Sequence, residues 1–237
     1  MYLEHPDAKH FRWQGISAHI GSQIVELAPF REALERVAGY LLELRKHGIA
    51  LKYLDFGGGL GVRYTQEQPA ARKAYAQMIA EVVGRLGVNL LLEPGRSIIA
   101  PAGVVLSRVI YTKRNSGKSF VVIDAAMNDL MRPVLYDAPH PVTRVSEKKT
   151  DGGARQRVDV VGQVCETGDC FLQGWPLGEV MPGEVVALWV AGAYGMTQAS
   201  NYNGRMRPAE VLVAGKRARL IRRRVTLDDV LRTDALY

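Results

Sequence analysis

Four of the five residues from 57 to 61 are glycine, and they directly follow the apolar run 53–56. Such a run predicts a buried strand that opens into a loop of bare backbone, whose amide groups can approach a phosphate. The loop lacks the dinucleotide-binding spacing, because Val62 stands sixth from Gly57, and no Lys-Ser/Thr pair follows as in NTP-binding loops. By itself the loop fits a tight structural turn as well as a ligand site.

Two other polar clusters end apolar runs at the same spacing. Run 15–20 ends in His19-Ile20-Gly21-Ser22, and run 88–92 ends in Glu93-Pro94-Gly95-Arg96. The three runs end near residues 20, 56 and 92, a step of 36 residues, which is the size of one βα unit in a parallel α/β fold. Ligands bind at the carboxyl ends of such strands. We therefore expect His19, Gly58 and Glu93 to surround one concavity at the edge of a short parallel sheet.

The segments between these strands have the periodicity of helices. Apolar residues three or four positions apart predict an amphipathic helix over 29–47, which ends at Gly48 after two basic residues. A second helix is predicted over 70–86, and the middle strand over 51–56.

After residue 101 the pattern changes to short β-rich runs, separated by turn signals such as Asn115-Ser116-Gly117 and Asp151-Gly152-Gly153. This pattern is typical of a β-sandwich or barrel. The runs are 103–111, 119–124, 157–164, 184–190, 209–213 and 217–224. Short helices are predicted over 127–136 and over 227–232, the second capped by Thr226. We expect two domains, residues 1–101 with about three βα units and residues 102–237 with an all-β fold.

Composition narrows the class of function. With 47% apolar and 23% charged residues, no apolar stretch of membrane-spanning length and no signal-peptide pattern at the N-terminus, the chain is expected to be a cytoplasmic protein without a membrane partner. Cys165 and Cys170 are too few for a disulfide framework and make a poor zinc site, so no metal is predicted. The net charge of +7 is concentrated around residues 216–224 without interleaved aromatic residues, which favours a solvated strand face over a nucleic-acid site.

Six segments taken together resemble the diaminopimelate decarboxylases, which belong to the fold-type III pyridoxal-phosphate enzymes. These segments are His19-Ile20-Gly21-Ser22-Gln23, Asp55-Phe56-Gly57-Gly58-Gly59-Leu60-Gly61, Glu93-Pro94-Gly95-Arg96, Asn128-Asp129-Leu130-Met131-Arg132-Pro133-Val134-Leu135-Tyr136, Cys165-Glu166-Thr167-Gly168-Asp169 and Gly192-Ala193-Tyr194. The resemblance implies a (β/α)8 barrel followed by a β domain, a homodimer with shared active sites, and conversion of meso-diaminopimelate to L-lysine and carbon dioxide.

The resemblance also implies roles for individual residues. Contacts to pyridoxal phosphate are implied for His19, Ser22, Gly57, Gly58, Gly59, Glu93, Gly95, Arg96 and Tyr194. Among these, the His19 ring stacks on the cofactor, the glycines receive its phosphate, and the Glu93 carboxylate pairs with the pyridine nitrogen and so maintains the electron sink.

Contacts to the amino-acid substrate are implied for Arg96, Arg132, Tyr136, Glu166 and Tyr194. The forked guanidinium groups suit a carboxylate held in a fixed pose. Cys165 is implied as the proton donor, so that Cys165 and His19 are the expected catalytic residues, and Cys165 and Glu166 reach the neighbouring subunit's site.

One feature of the family is missing from the sequence. These enzymes attach the cofactor to a lysine on an early barrel strand, whereas only Lys9 precedes His19, in a segment without strand character. Three βα units cannot close an eight-stranded barrel either. We therefore expect the C-terminal portion of a decarboxylase, inactive by itself. The alternatives are a decarboxylase of ornithine, arginine or carboxynorspermidine, or a non-catalytic remnant or partner subunit.

Overall fold

The computed structural model describes residues 5, 7, 10–145, 156–232 and 234. Lys9 and the predicted turn at 151–153 lie outside the described residues. The chain divides into two compact units, Met1–Ile99 and Ala100–Tyr237, which are described separately below. Within the described ranges, no helix combines the length and the apolar composition that crossing a membrane requires.

The first unit is a three-stranded parallel sheet with connecting helices. In chain order its elements are β1 (Gly15–Ser17), α1 (Ala28–Lys46), β2 (Tyr53–Asp55), α2 (Arg72–Val83), β3 (Asn89–Leu91) and α3 (Gly95–Ile99). The strands lie in the order β1-β2-β3, and both pairings are parallel. The predicted alternation of strands and helices is confirmed, although each strand is only three residues long. The short helix α3 was not predicted.

The core of this unit lies between the helices and one face of the sheet. Phe30 and Leu41 of α1 and Leu54 of β2 are fully buried, and the Phe30 ring makes edge-on contacts with the rings of Phe56 and Tyr75. Because side chains alternate along a strand, the neighbours of Leu54 point to the opposite face of the sheet.

The parallel hydrogen-bond ladder continues past the ends of the strands into the loops. The amide of Ala18 donates to the carbonyl of Asp55 (2.9 Å), the amide of Phe56 to Leu91 (3.1 Å), and the amide of Glu93 to Gly57 (2.7 Å). The three carboxyl-terminal loops are therefore extensions of the sheet, and their backbones are fixed relative to one another.

The second unit is built mainly from strands. Its elements are β4 (Val105–Asn115), β5 (Lys118–Ile123), α4 (Arg132–Tyr136), β6 (Val142–Arg144), β7 (Val158–Val161), β8 (Cys170–Trp175), β9 (Val185–Leu188), β10 (Glu210–Ala214), β11 (Arg217–Arg222) and α5 (Leu227–Leu231). Six strands form one sheet in the order β6-β9-β4-β5-β7-β8, and β10 and β11 form a separate hairpin.

The long strand β4 belongs to both halves of the six-stranded sheet. Its residues Val105 to Arg108 pair with β9, and its residues from Val109 onward pair with β5, with a shift in register between Val109 and Tyr111. Buried apolar residues from several strands form the core, including Val109, Ile123, Val160 and Leu188. The predicted β-rich character is confirmed, whereas β6 and β8 were not predicted.

Two local predictions had different outcomes. The helix predicted over 127–136 was wrong at its start, because α4 begins at Arg132. Pro133 has no amide hydrogen and fits only the first turn of a helix, so the helix cannot extend far ahead of it. The cap predicted for the last helix is confirmed, since the Thr226 side chain and the Asp229 side chain form a capping box at the start of α5.

The basic stretch near the C-terminus lies on exposed strand β11 and the residues after it, as the sequence predicted for a solvated face. Arg222 forms a salt bridge with Glu210 across the hairpin, and Arg223 forms one with Asp229. Exposed pairs of this kind contribute little to stability, so their main effect is on surface charge.

Candidate functional site

The predicted convergence of the three strand ends in the first unit is confirmed. The amide of Gly58 lies 3.4 Å from Nδ1 of His19, and a Cβ atom added to Gly57 would stand 2.8 Å from the same nitrogen. The backbone bond from Glu93 to Gly57 brings the third cluster to the same edge. The His19 ring and the Glu93 carboxylate are both exposed there, so both are available to a ligand.

Steric constraints within the fold require glycine in this loop, whether or not a ligand binds there. A side chain at Gly58 would overlap the carbonyl oxygen of Glu93, and one at Gly59 would overlap that of Gly21. Gly59 also has a φ of 101°, a conformation that side-chain-bearing residues rarely adopt. The amide of Gly57 donates to the Asp55 carboxylate at 2.9 Å. Close approach of three loops therefore explains these glycines, and their contact with a phosphate stays a prediction.

Arg96 is held at this edge by two hydroxyl groups. Its Nη1 donates to the hydroxyl of Tyr64 (2.7 Å) and its Nη2 donates to Oγ of Ser22 (2.9 Å). Ser22 was predicted near a phosphate, whereas Tyr64, which is buried, was not predicted. Only the position of Tyr64 shortly after the glycine loop could have indicated it.

In the second unit, Arg132 is buried and pairs with a buried histidine. Nη1 of Arg132 lies 2.9 Å from Nε2 of His140, whose Nδ1 lies 2.9 Å from the carbonyl oxygen of Trp189. A carbonyl only accepts, so Nδ1 carries the hydrogen and Nε2 accepts from Arg132, which is the arrangement of a neutral imidazole. The sequence predicted Arg132 as a substrate ligand but not this internal partner. Tyr136, at the end of the same helix, is exposed.

The loop that presents Cys165 and Glu166 is closed by Asp169. One carboxylate oxygen of Asp169 accepts from the amide of Val164 (2.7 Å), and the other accepts from the amide of Met127 (2.7 Å). Burial raises the pKa of the Asp169 carboxyl above its ordinary value, against the effect of these backbone bonds. Cys165 and Glu166 are exposed on this loop, and Asp169 was not among the predicted site residues.

The segment that contains Tyr202 and Arg205 contacts the loop of Cys165 and Glu166. The hydroxyl of Tyr202 donates to the Glu166 carboxylate, a bond that raises the pKa of Tyr202. Nε of Arg205 donates to Oδ1 of Asn128 at 2.7 Å, which ties the segment to the residues just before α4. Tyr194 is exposed and has a φ of 60°, an uncommon backbone conformation for a residue with a side chain. No role was predicted for Tyr202.

A family model described as "Pyridoxal-dependent decarboxylase, C-terminal sheet domain" matches residues 24–192. The chain belongs to this family. The predicted resemblance is therefore confirmed.

Direct comparison finds similarity to diaminopimelate decarboxylases. A diaminopimelate decarboxylase from Zymomonas mobilis is 47% identical over 223 residues, which are 93% of this chain and 52% of the relative. The crystal structure of diaminopimelate decarboxylase from Helicobacter pylori complexed with L-lysine matches with a TM-score of 0.86 at 39% identity, covering 92% of this chain and 54% of that one. The corresponding M. jannaschii structure, also with L-lysine, gives a TM-score of 0.89 at 36% identity over 94% of this chain and 52% of that one. The chain thus spans about half the length of the relatives it matches.

The residues at the sheet edge of the first unit fit the cofactor of this family. Pyridoxal phosphate has a flat ring, a ring nitrogen that binds a proton and an anionic phosphate. At the sheet edge the structure offers the exposed ring of His19, the exposed carboxylate of Glu93 and the cation of Arg96. A carboxylate suits the protonated nitrogen, and a cation suits the phosphate or a substrate carboxylate.

The predicted site residues fall into two groups, one in each unit. The first unit contains His19, Ser22, Gly57, Gly58, Gly59, Glu93, Gly95 and Arg96, and the second contains Arg132, Tyr136, Cys165, Glu166 and Tyr194. In the first group, Gly95 begins α3 and its amide donates to the Glu93 carbonyl at 2.8 Å.

Proposed function

We propose that this chain carries part of the active site of an enzyme that decarboxylates meso-diaminopimelate to L-lysine and carbon dioxide with pyridoxal phosphate. The observation that carries the proposal is the meeting of His19, Glu93 and Arg96 at the carboxyl edge of one parallel sheet. The similarity to diaminopimelate decarboxylases over more than nine tenths of the chain supports the choice of substrate.

In this proposal the site residues of the first unit bind the cofactor or an anionic group of the substrate. Pyridoxal phosphate, when bound, supplies an electron sink for the carbanion that loss of carbon dioxide leaves. The Glu93 carboxylate would pair with the protonated ring nitrogen, and the His19 imidazole would hold the cofactor ring. Gly57 to Gly59, Ser22 and Gly95 would hold the phosphate, and Arg96 would bind an anionic group of cofactor or substrate.

The second unit supplies groups for the substrate. The exposed Cys165 thiol would donate a proton to the substrate carbon that loses carbon dioxide, and Glu166, whose carboxylate accepts the hydrogen bond from Tyr202, would contact the distal end of the substrate. Arg132, Tyr136 and Tyr194 complete the substrate and phosphate contacts. A fixed, buried guanidinium such as that of Arg132 suits recognition of a carboxylate in one orientation.

The architecture proposed for the whole protein is that of its fold-type III relatives. Residues 1–101 are then part of a (β/α)8 barrel and residues 102–237 are the β domain, in a homodimer with shared active sites. The parallel order of β1, β2 and β3 supports the barrel assignment. The cytoplasmic location expected from the sequence stays a prediction.

The proposal can be tested by supplying the portion of a relative that this chain does not match. We would co-express the 237-residue chain with the part of the Zymomonas mobilis enzyme that it does not match, and measure L-lysine and carbon dioxide formed from meso-diaminopimelate. Activity should require pyridoxal phosphate, be lost in Glu93→Ala and persist in the surface control Glu26→Ala. Ornithine, arginine and carboxynorspermidine serve as competing substrates. A preference for one of these, or a pair that binds the cofactor and decarboxylates nothing, would overturn the proposal.

A further inference from the structure

The loop that presents Glu166 fixes its backbone. The amide of Glu166 donates to the carbonyl of Val164 at 2.8 Å, and its own carbonyl accepts from the amide of Asp169 at 3.1 Å. The side chain is exposed, and several rotatable bonds separate its carboxylate from this fixed backbone. An exposed glutamate with such freedom samples many rotamers, and fixing it costs conformational entropy. The hydroxyl of Tyr202, which donates to the carboxylate, is therefore a contact that can select one position.

Tyr202 lies on a short turn whose flanks are anchored. The amide of Ser200 donates to the carbonyl of Asn128 (2.9 Å), and Nδ2 of Asn128 donates back to the carbonyl of Ser200 (3.2 Å). Nδ2 of Asn201 donates to the carbonyl of Arg205 at 2.7 Å, which closes the other side of the turn. Asn128 is 0% exposed, so the turn is anchored in the interior of the second unit.

We propose that Tyr202 is a positioning residue, whose hydroxyl orients the Glu166 carboxylate to bind the ammonium group at the distal end of the substrate. The bond raises the pKa of Tyr202, so the phenol stays neutral and orients the carboxylate without cancelling its charge. A carboxylate can accept about four hydrogen bonds, and one donor therefore leaves acceptors for the ammonium hydrogens. The inference rests on the proposed function, in which Glu166 contacts that end of the substrate.

Two variants remove the two partners of this bond one at a time. Tyr202→Phe removes the donor and keeps the ring, and Glu166→Ala removes the acceptor. Tyr111→Phe is the matched control, because Tyr111 is also an exposed tyrosine of the second unit (45% exposed, against 43% for Tyr202).

The first measurement concerns the Glu166 side chain and needs no activity. In the 237-residue chain with ¹³C-labelled glutamate, relaxation of the Glu166 side chain should show that its motion is restricted. Tyr202→Phe should lower its order parameter to below about 0.6, the range of flexible groups, and Tyr111→Phe should not. A side chain that is already flexible in the unaltered chain, or one that Tyr202→Phe leaves restricted, would overturn the inference.

The second measurement uses the co-expressed pair described under the proposed function. Tyr202→Phe should raise KM for meso-diaminopimelate on the order of tenfold, the effect of about one hydrogen bond to a charged group. kcat should change less, because the distal end of the substrate does not react. An unchanged or lowered KM in an active pair would count against the inference.

A double-mutant cycle distinguishes positioning from a general structural role. The product L-lysine keeps the distal end of the substrate, so its Kd for the pair with bound pyridoxal phosphate can be measured without turnover. Tyr202→Phe should weaken binding in the unaltered pair and have no further effect in Glu166→Ala, whereas independent effects would multiply and contradict the inference. If the unaltered pair neither decarboxylates nor binds L-lysine, the proposed function is wrong, and the relaxation of Glu166 still decides whether Tyr202 fixes its side chain.

Discussion

Arg132 and His140 form a buried pair in which Nη1 of the guanidinium lies 2.9 Å from Nε2 of the imidazole. Because Nδ1 of His140 is engaged with the Trp189 carbonyl, the ring is held in one tautomer and can only accept from Arg132. The pair connects the start of α4 to the residue that follows β9. A substrate-binding role for Arg132 would therefore depend on a histidine that is itself fully buried.

Replacing His140 tests this pair. His140→Leu removes both hydrogen bonds from a side chain that is 0% exposed, so we expect a loss of about 2–4 kcal/mol in the free energy of unfolding. His140→Gln keeps an acceptor and a donor and should lose less than half as much. Urea unfolding followed by tryptophan fluorescence measures both. Equal losses in the two variants would show that ring packing, rather than hydrogen bonding, accounts for the stability.

The Asp169 carboxylate should hold in place the backbone of the loop that presents Cys165 and Glu166. An asparagine amide has one accepting oxygen, so Asp169→Asn can satisfy the amide of Val164 or that of Met127 but not both. We expect one of these two amides to exchange its hydrogen roughly 5–150-fold faster, which corresponds to about 1–3 kcal/mol. Asp137→Asn is the control, because Asp137 is exposed and asparagine tolerates its left-handed φ of 49°. Exchange that is unchanged in Asp169→Asn would contradict the assignment.

Two glycine-to-alanine variants should have opposite effects. Gly58→Ala places a methyl group against the Glu93 carbonyl and should destabilise the first unit by about 1–3 kcal/mol. Gly39 lies inside α1 with nothing within 4 Å of an added Cβ, so Gly39→Ala should stabilise the chain by about 0.5–1 kcal/mol. Thermal unfolding by circular dichroism distinguishes them. A neutral Gly58→Ala would mean that the loops are further apart than the structure indicates.

The capping box of α5 should persist to a lower pH than a capping box whose aspartate has an ordinary pKa. The ion pair with Arg223, and then the bonds from Thr226, hold the pKa of Asp229 well below its usual range. A lowered pKa means that the stabilising contribution is present above the ordinary value near 4 and is lost only as the pH falls through the lowered one. The carboxyl ¹³C chemical shift of Asp229 should therefore remain that of an ionised group at pH 4, and Thr226→Ala should bring its midpoint up. A midpoint already near pH 4 in the unaltered chain would refute the prediction.

Much of the fold could be predicted because it depends on local periodicity. The spacing of Phe30, Leu34 and Leu41 fixes which face of α1 is buried, and the parallel order of the strands then brings His19, Gly58 and Glu93 to one edge. The cap at Thr226 also needs only neighbouring residues. These features do not require knowledge of distant contacts.

The supporting residues could not be predicted, because their partners are distant in the chain. Tyr64 and Arg96 are 32 residues apart, and Asp169 and Met127 are 42 apart. No periodicity relates such pairs, since loops bring them together. The missed strands have a similar explanation: β6 is three residues long, and β8 contains Gly174 at a φ of 55°, which interrupts its β-rich pattern.

The continuation of the sheet into the glycine loop has a thermodynamic consequence for any ligand. Fixing the backbone of one flexible residue costs about 1–2 kcal/mol in conformational entropy. The bonds from Ala18, Phe56 and Glu93 impose that cost on folding, since the loop is ordered as soon as the strands pair. An anion that binds at this edge then meets a preorganised backbone, and its association should carry only a small entropic penalty from the protein.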